Sequence, residues 1–189
     1  MKDTENDYET ASEENIQVIN NDIYYYSDIT TESILSLTIA IKKLTNKLIV
    51  QNMTYDTDSH INLHINSDGG DVYAVLSILN LMENNKIDIH TIIEGKACSA
   101  ATILSLFGKE KYITQHSYML IHNISSDFWG KMHEIEDEMT NLILLTNDIK
   151  KIYRTNSSIT TKQLETLLKK DLLLNANTCI KYGLVDDIC

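Results

Sequence analysis

A serine at position 99 lies in the run Gly95-Lys96-Ala97-Cys98-Ser99-Ala100-Ala101, where small residues lead into an apolar segment of helical length. Small neighbours let a substrate backbone come close, and the free N–H groups of a helix start favour negative charge. A hydroxyl placed there can attack a carbonyl once a base removes its proton. The same serine would serve equally as a helix cap or a small packing residue. His122 closes the apolar run Tyr118-Met119-Leu120-Ile121, and imidazole suits a general base near neutral pH; a histidine ending a strand can also be purely structural. Asp171 precedes Leu172-Leu173-Leu174. Beside such a run a carboxylate is partly desolvated and must find a partner, an imidazole N–H being one, although after Lys169-Lys170 it also reads as a solvated turn. Gly69-Gly70 allows positive φ and close approach, so its N–H groups can face an oxyanion or simply make a tight turn.

The remaining histidines, His60, His64, His90, His116 and His133, show no metal-ligand spacing, and His64 and His90 occupy the polar-facing positions of their strands. Cys98, Cys179 and Cys189 form no CxxC pair, which argues against a zinc site or a disulfide framework and for a reducing, cytoplasmic setting. No GxxxxGK[ST] loop is present. No metal or other cofactor is expected.

The elements that must carry these residues read as βαβ units. Ile23 to Tyr26 is a short strand; Asp28 or Thr30 caps a helix with Ile34, Leu37, Ile41 and Leu44 on one stripe. Ile61, Leu63 and Ile65 alternate as a strand that runs into Asn66-Ser67-Asp68-Gly69-Gly70 and an apolar helix. The pattern repeats: Ile87, Ile89, Thr91 and Ile93 alternate, Gly95 breaks the strand, and a helix runs from Ser99 towards Gly108. Strand, small-residue turn and helix, twice over, predict a largely parallel α/β sheet, with ligand chemistry at the carboxyl ends of the strands. A long helix is expected over 132–153, long enough to project or to pack on another subunit, then a helix over 161–168 and a short strand at Leu172–Leu174. Residues 1–20 read as a mobile acidic tail and residues 21–189 as a single domain.

Composition bounds the function. Twenty-seven acidic against 16 basic residues give a net charge of −11, which argues against nucleic acid as the main partner. No stretch approaches the ~20 apolar residues of a membrane span, and the N-terminal residues show neither signal-peptide nor transit-peptide character.

The segments INSDGGDV, GKACSAATILSLFG, YMLIHNIS and KKDLLLNANTCIKYGLVDDI, in this order and spacing, resemble the Clp protease proteolytic subunit (ClpP) from about Asp22 to Cys189. The resemblance implies a ClpP/crotonase-like α/β spiral with a projecting handle helix. It implies a serine endopeptidase with Ser99 as nucleophile, His122 as base and Asp171 as orienting acid. The backbone N–H groups of Gly70 and Ala100 would form the oxyanion hole, and Gly69 would shape its turn. It further implies a homo-oligomer of heptameric rings, up to a tetradecamer, hydrolysing peptides or unfolded proteins delivered by a separate AAA+ unfoldase. Departures from the family pattern are Asp68 in place of a proline beside the oxyanion hole, Ala100 in place of methionine, Asn123-Ile124 after the histidine, and no recognisable axial segment before Asn21. The alternatives are a non-proteolytic scaffold subunit and a viral capsid-maturation protease on the same fold.

Overall fold

The computed structural model describes residues 16–189. The chain opens as an antiparallel hairpin of β1 (Ile16–Ile19) and β2 (Asp22–Tyr25), turned at Asn20 with φ 57°. Residues 16–19 of the expected 1–20 tail thus form a strand, and residues 1–15 lie outside the described residues. Three of the four β1 side chains are exposed, so backbone pairing rather than burial defines this strand, and no hydrophobic alternation announced it.

Helix α1 (Thr31–Tyr55) starts at Thr30, whose hydroxyl accepts from Ser33 N at 3.1 Å while Ser33 Oγ accepts from Thr30 N at 3.0 Å. This reciprocal box satisfies two of the N–H groups that a helix start leaves free. Its stripe of Ile34, Leu37, Ile41, Leu44 and Leu48 is buried, as a 3.6-residue repeat requires. After β3 (Ile61–Ser67), Asp71 caps α2 (Val72–Glu83) by accepting from Tyr73 N at 2.8 Å. Strand β4 (Ile89–Cys98) then runs parallel to β3, as β3 does to β2. Alternate residues Ile23, Tyr25, Ile61, Leu63, Ile65, Ile89 and Ile93 are buried.

Gly95 does not end β4, contrary to the sequence expectation. The strand continues to Cys98, and its register on β3 shifts from Ile65↔Ile93 to Ser67↔Ala97. Gly95 takes φ 78°, which lets the extra residues bulge while both segments stay paired. The bulge divides β4 into two docking edges. Its first half (Thr91–Ile93) pairs with β5 (Lys111–Ile113), and its second half (Lys96–Cys98) pairs with β6 (Tyr118–Leu120). Helix α3 (Ala100–Ser105) between them is shorter than the expected run to Gly108.

Beyond β6 come α4 (Met132–Asn156), α5 (Thr161–Leu167), β7 (Leu173–Asn175), α6 (Ala176–Lys181) and β8 (Asp187–Ile188). Strand β7 returns antiparallel along β6, and β8 joins β5 in parallel. Helix α4 buries only Ile149 and Tyr153, near its C-terminal end. Along the rest, Met132, Ile135, Met139 and Ile143 form an exposed apolar stripe. No helix among the described residues is long and apolar enough to cross a membrane.

Leu37, fully buried between α1 and the sheet, should be costly to truncate. Leu37→Ala is expected to lower stability by about 2–5 kcal/mol, read as a shift in the denaturant midpoint with unchanged slope.

Candidate active site

Ser99 occupies the turn from β4 into α3 with φ 51° and ψ −123°, a conformation that costs a non-glycine residue about 1–3 kcal/mol and persists only when its surroundings impose it. They do so from two sides. Ser99 N donates to Leu120 O of β6 at 2.8 Å, and Ser99 O accepts from Thr102 N at 3.0 Å and from Thr102 Oγ1 at 2.6 Å. The side chain does not cap α3, so the cap alternative fails, and Ser99 Oγ has no hydrogen bond among the described residues.

Strand register explains why distant residues meet here. The parallel pairing of Cys98 with Leu120 sets Ser99 beside the end of β6. The antiparallel pairing of Leu120 with Leu173, continued by two residues, sets His122 opposite Asp171. His122 Nδ1 lies 3.2 Å from Asp171 Oδ1. The imidazole is one-third exposed, whereas the Asp171 side chain is 78% exposed. Of the two sequence readings the solvated turn holds: within one chain Leu172 and Leu173 are themselves exposed.

Ser99 and His122 line one small pocket, whose other walls include Val72, Ile103, Ile124, Ile149 and Leu168. They are not joined by a hydrogen bond in the single chain. With Nδ1 turned to Asp171, Nε2 is the ring nitrogen left for a proton from Ser99, a contact that commonly tightens only when substrate is bound.

The glycine turn lies against the same segment. Gly69 has φ 94°, and a Cβ on it would stand 2.5 Å from Cys98 O and 2.8 Å from Ser99 Cβ. Ile29 makes a parallel bridge to Gly70, with Ile29 N donating to Gly69 O at 2.7 Å and Asp71 N donating to Ile29 O at 2.8 Å. In a parallel bridge the N–H of the bridged residue points to the opposite edge, so Gly70 N–H is turned away from Ile29. Gly69 N–H is already spent on Ser67 Oγ at 3.1 Å. Ala100, first residue of α3, likewise has an N–H without an intrahelical acceptor.

Asp68 does not oppose this arrangement. Its carboxylate is 2.5 Å from Lys96 Nζ and faces solvent; in return it holds the Lys96 ammonium above the usual lysine range. Burial, then Asp68, pushes the Cys98 thiol up, so the sulfur beside Ser99 stays protonated. The cavity walls from α4, Thr146, Ile149 and Tyr153, were not singled out by sequence reasoning, because helical periodicity shows which face is apolar and not which neighbour it meets.

With this geometry in view, the comparison with known families is decisive. The model of the Clp protease family, described as Clp protease, matches residues 17–189, and the chain belongs to that family. Membership implies a peptidase. The mostly parallel sheet with its helices agrees with the ClpP-type fold, and members of this family typically form oligomeric rings that act on peptides.

Gly69→Ala should drive the turn away from Ser99. If the adjoining Gly70 N–H is an oxyanion donor, peptide turnover should fall about a hundredfold or more, measured as kcat/KM on a short peptide amide. Turnover within a few-fold of the parent would reject the close packing of the two turns as a requirement.

Proposed function

We propose that the chain is a serine endopeptidase in which Ser99 is the nucleophile, His122 the general base and Asp171 the carboxylate that fixes the imidazole tautomer. The observation that carries the reading is the β4–β6–β7 register, which brings a strained serine to the same pocket as a histidine whose far side meets Asp171. His122 takes the Ser99 proton at Nε2 as Oγ attacks the peptide carbonyl. Gly70 and Ala100 N–H groups receive the oxyanion, and His122 returns the proton to the leaving amine. Water, deprotonated by the same nitrogen, then cleaves the acyl-enzyme. Val72, Ile103, Ile124, Ile149 and Leu168 suit an apolar residue on the acyl side of the cut bond.

The exposed stripe of Met132, Ile135, Met139 and Ile143 on α4 supports assembly of stacked homo-oligomeric rings enclosing the sites, the arrangement that the family suggests. Substrate would be an extended peptide or an unfolded protein, and unfolding would need a separate AAA+ partner, since this chain carries no phosphate-binding loop.

Ser99→Ala should reduce hydrolysis of short peptides to background and abolish labelling by a fluorophosphonate, with assembly unchanged; persistence of either signal in that variant rejects the nucleophile. Met139→Asp combined with Ile143→Asp should lower the particle mass seen by light scattering, because each places a charge on the apolar stripe. An unaltered mass would remove α4 from the interface.

A further inference from the structure

Behind Ser99 lies a set of buried hydroxyls that acyl transfer does not itself use. Thr102 has no exposed surface and Tyr153 is 3% exposed. Thr102 Oγ1 is 2.6 Å from the Ser99 carbonyl oxygen and is hydrogen-bonded to the Tyr153 hydroxyl on α4. Ser105 Oγ donates to Thr102 O at 2.8 Å, and Thr91 Oγ1 donates to Ser105 O at 2.7 Å, so α3 is braced from both directions.

Counting protons fixes the direction of this chain. A carbonyl oxygen can only accept, so the 2.6 Å contact spends the single Thr102 hydroxyl proton on Ser99. Tyr153 must then be the donor to Thr102 Oγ1. Burial pushes the phenol up to about 12, which keeps it a donor throughout the neutral range. Each bond polarises the next, so donation from Tyr153 strengthens the hold of Thr102 on the serine carbonyl. That carbonyl belongs to the one non-glycine residue of the site with positive φ.

We propose that Tyr153 is a positioning residue for the nucleophile: acting through Thr102, its hydroxyl clamps the Ser99 carbonyl and ties the serine's backbone geometry to the seat of α4. The inference rests on the serine-peptidase reading above and deepens it, because it makes the base of the projecting helix part of what orients Ser99.

Tyr153→Phe keeps the ring that walls the cavity and removes only the hydroxyl. It should lower kcat about tenfold while KM stays within about twofold. Thr102→Val should lose at least as much, Thr102→Ser should recover most of that loss, and adding Tyr153→Phe to Thr102→Val should cost little more, as members of one chain behave. An unchanged kcat in Tyr153→Phe, a loss confined to KM, or full additivity of the two substitutions would each overturn the clamp. Amide exchange read by mass spectrometry gives a second measurement that needs no turnover: the Thr102 amide, bonded to Ser99 O, should exchange about tenfold faster in Tyr153→Phe. Unaltered exchange there overturns the clamp as well. If the parent protein and Ser99→Ala both fail to hydrolyse peptides, the peptidase reading falls, and exchange alone then decides the clamp. Should Tyr153→Phe not fold, the Thr102→Val and Thr102→Ser pair decides it by the same two readouts.

Discussion

Strand β6 is bonded on one edge to the second half of β4 and on the other to β7, and Ser99, His122 and Asp171 take their places from those two pairings. Only three residues long, it could not hold a position by itself. Its side chain Met119 is fully buried, and its Leu120 carbonyl accepts the Ser99 N–H at 2.8 Å. A slip of one residue on either edge would move His122 away from both Ser99 and Asp171 and turn Met119 out of the core. Burial of Met119 and alignment of the site are thus enforced by the same register.

The bulge at Gly95 makes that arrangement possible. A regular β4 would offer one straight edge to a single following strand. By accommodating extra residues, it offers successive edges to β5 and β6. The strain at Ser99 is compensated locally, by Leu120 on one side and Thr102 on the other. The glycine turn adds a steric limit, since Gly69 leaves no room for a side chain between itself and Cys98. Rigid strands set the positions, and backbone hydrogen bonds hold the one residue whose conformation they would not otherwise favour.

Much of this was legible in the residues. The alternation at Ile61, Leu63 and Ile65, the stripe from Ile34 to Leu44 and the Thr30 cap all correspond to elements of the fold, because burial imposes a period that the sequence must show. Strands β1, β5 and β8 were not legible: they are two to four residues long and partly exposed, so backbone pairing defines them without a side-chain pattern. The glycine at 95 misled for a related reason, since it punctuates a chain whether it ends a strand or bulges one. For the candidate site, type and neighbourhood marked Ser99, His122 and the Gly69-Gly70 turn only as candidates, each with a structural alternative, and the family resemblance joined them. Whether Asp171 is covered or solvated could not be decided, because three leucines in a row do not say whether they cover the carboxylate or face outward. Nor could the hydroxyl chain, which depends on Tyr153 meeting Thr102 across 51 positions.

That open carboxylate has a cellular consequence. In water, a pairing as accessible as His122–Asp171 contributes about 1 kcal/mol at most. If the proposed triad and ring assembly hold, a newly made, solitary copy would keep its imidazole loosely placed and cut poorly. On that same reading, enclosure by neighbouring copies would dry the pair and sharpen it, so that cutting power would arrive together with confinement.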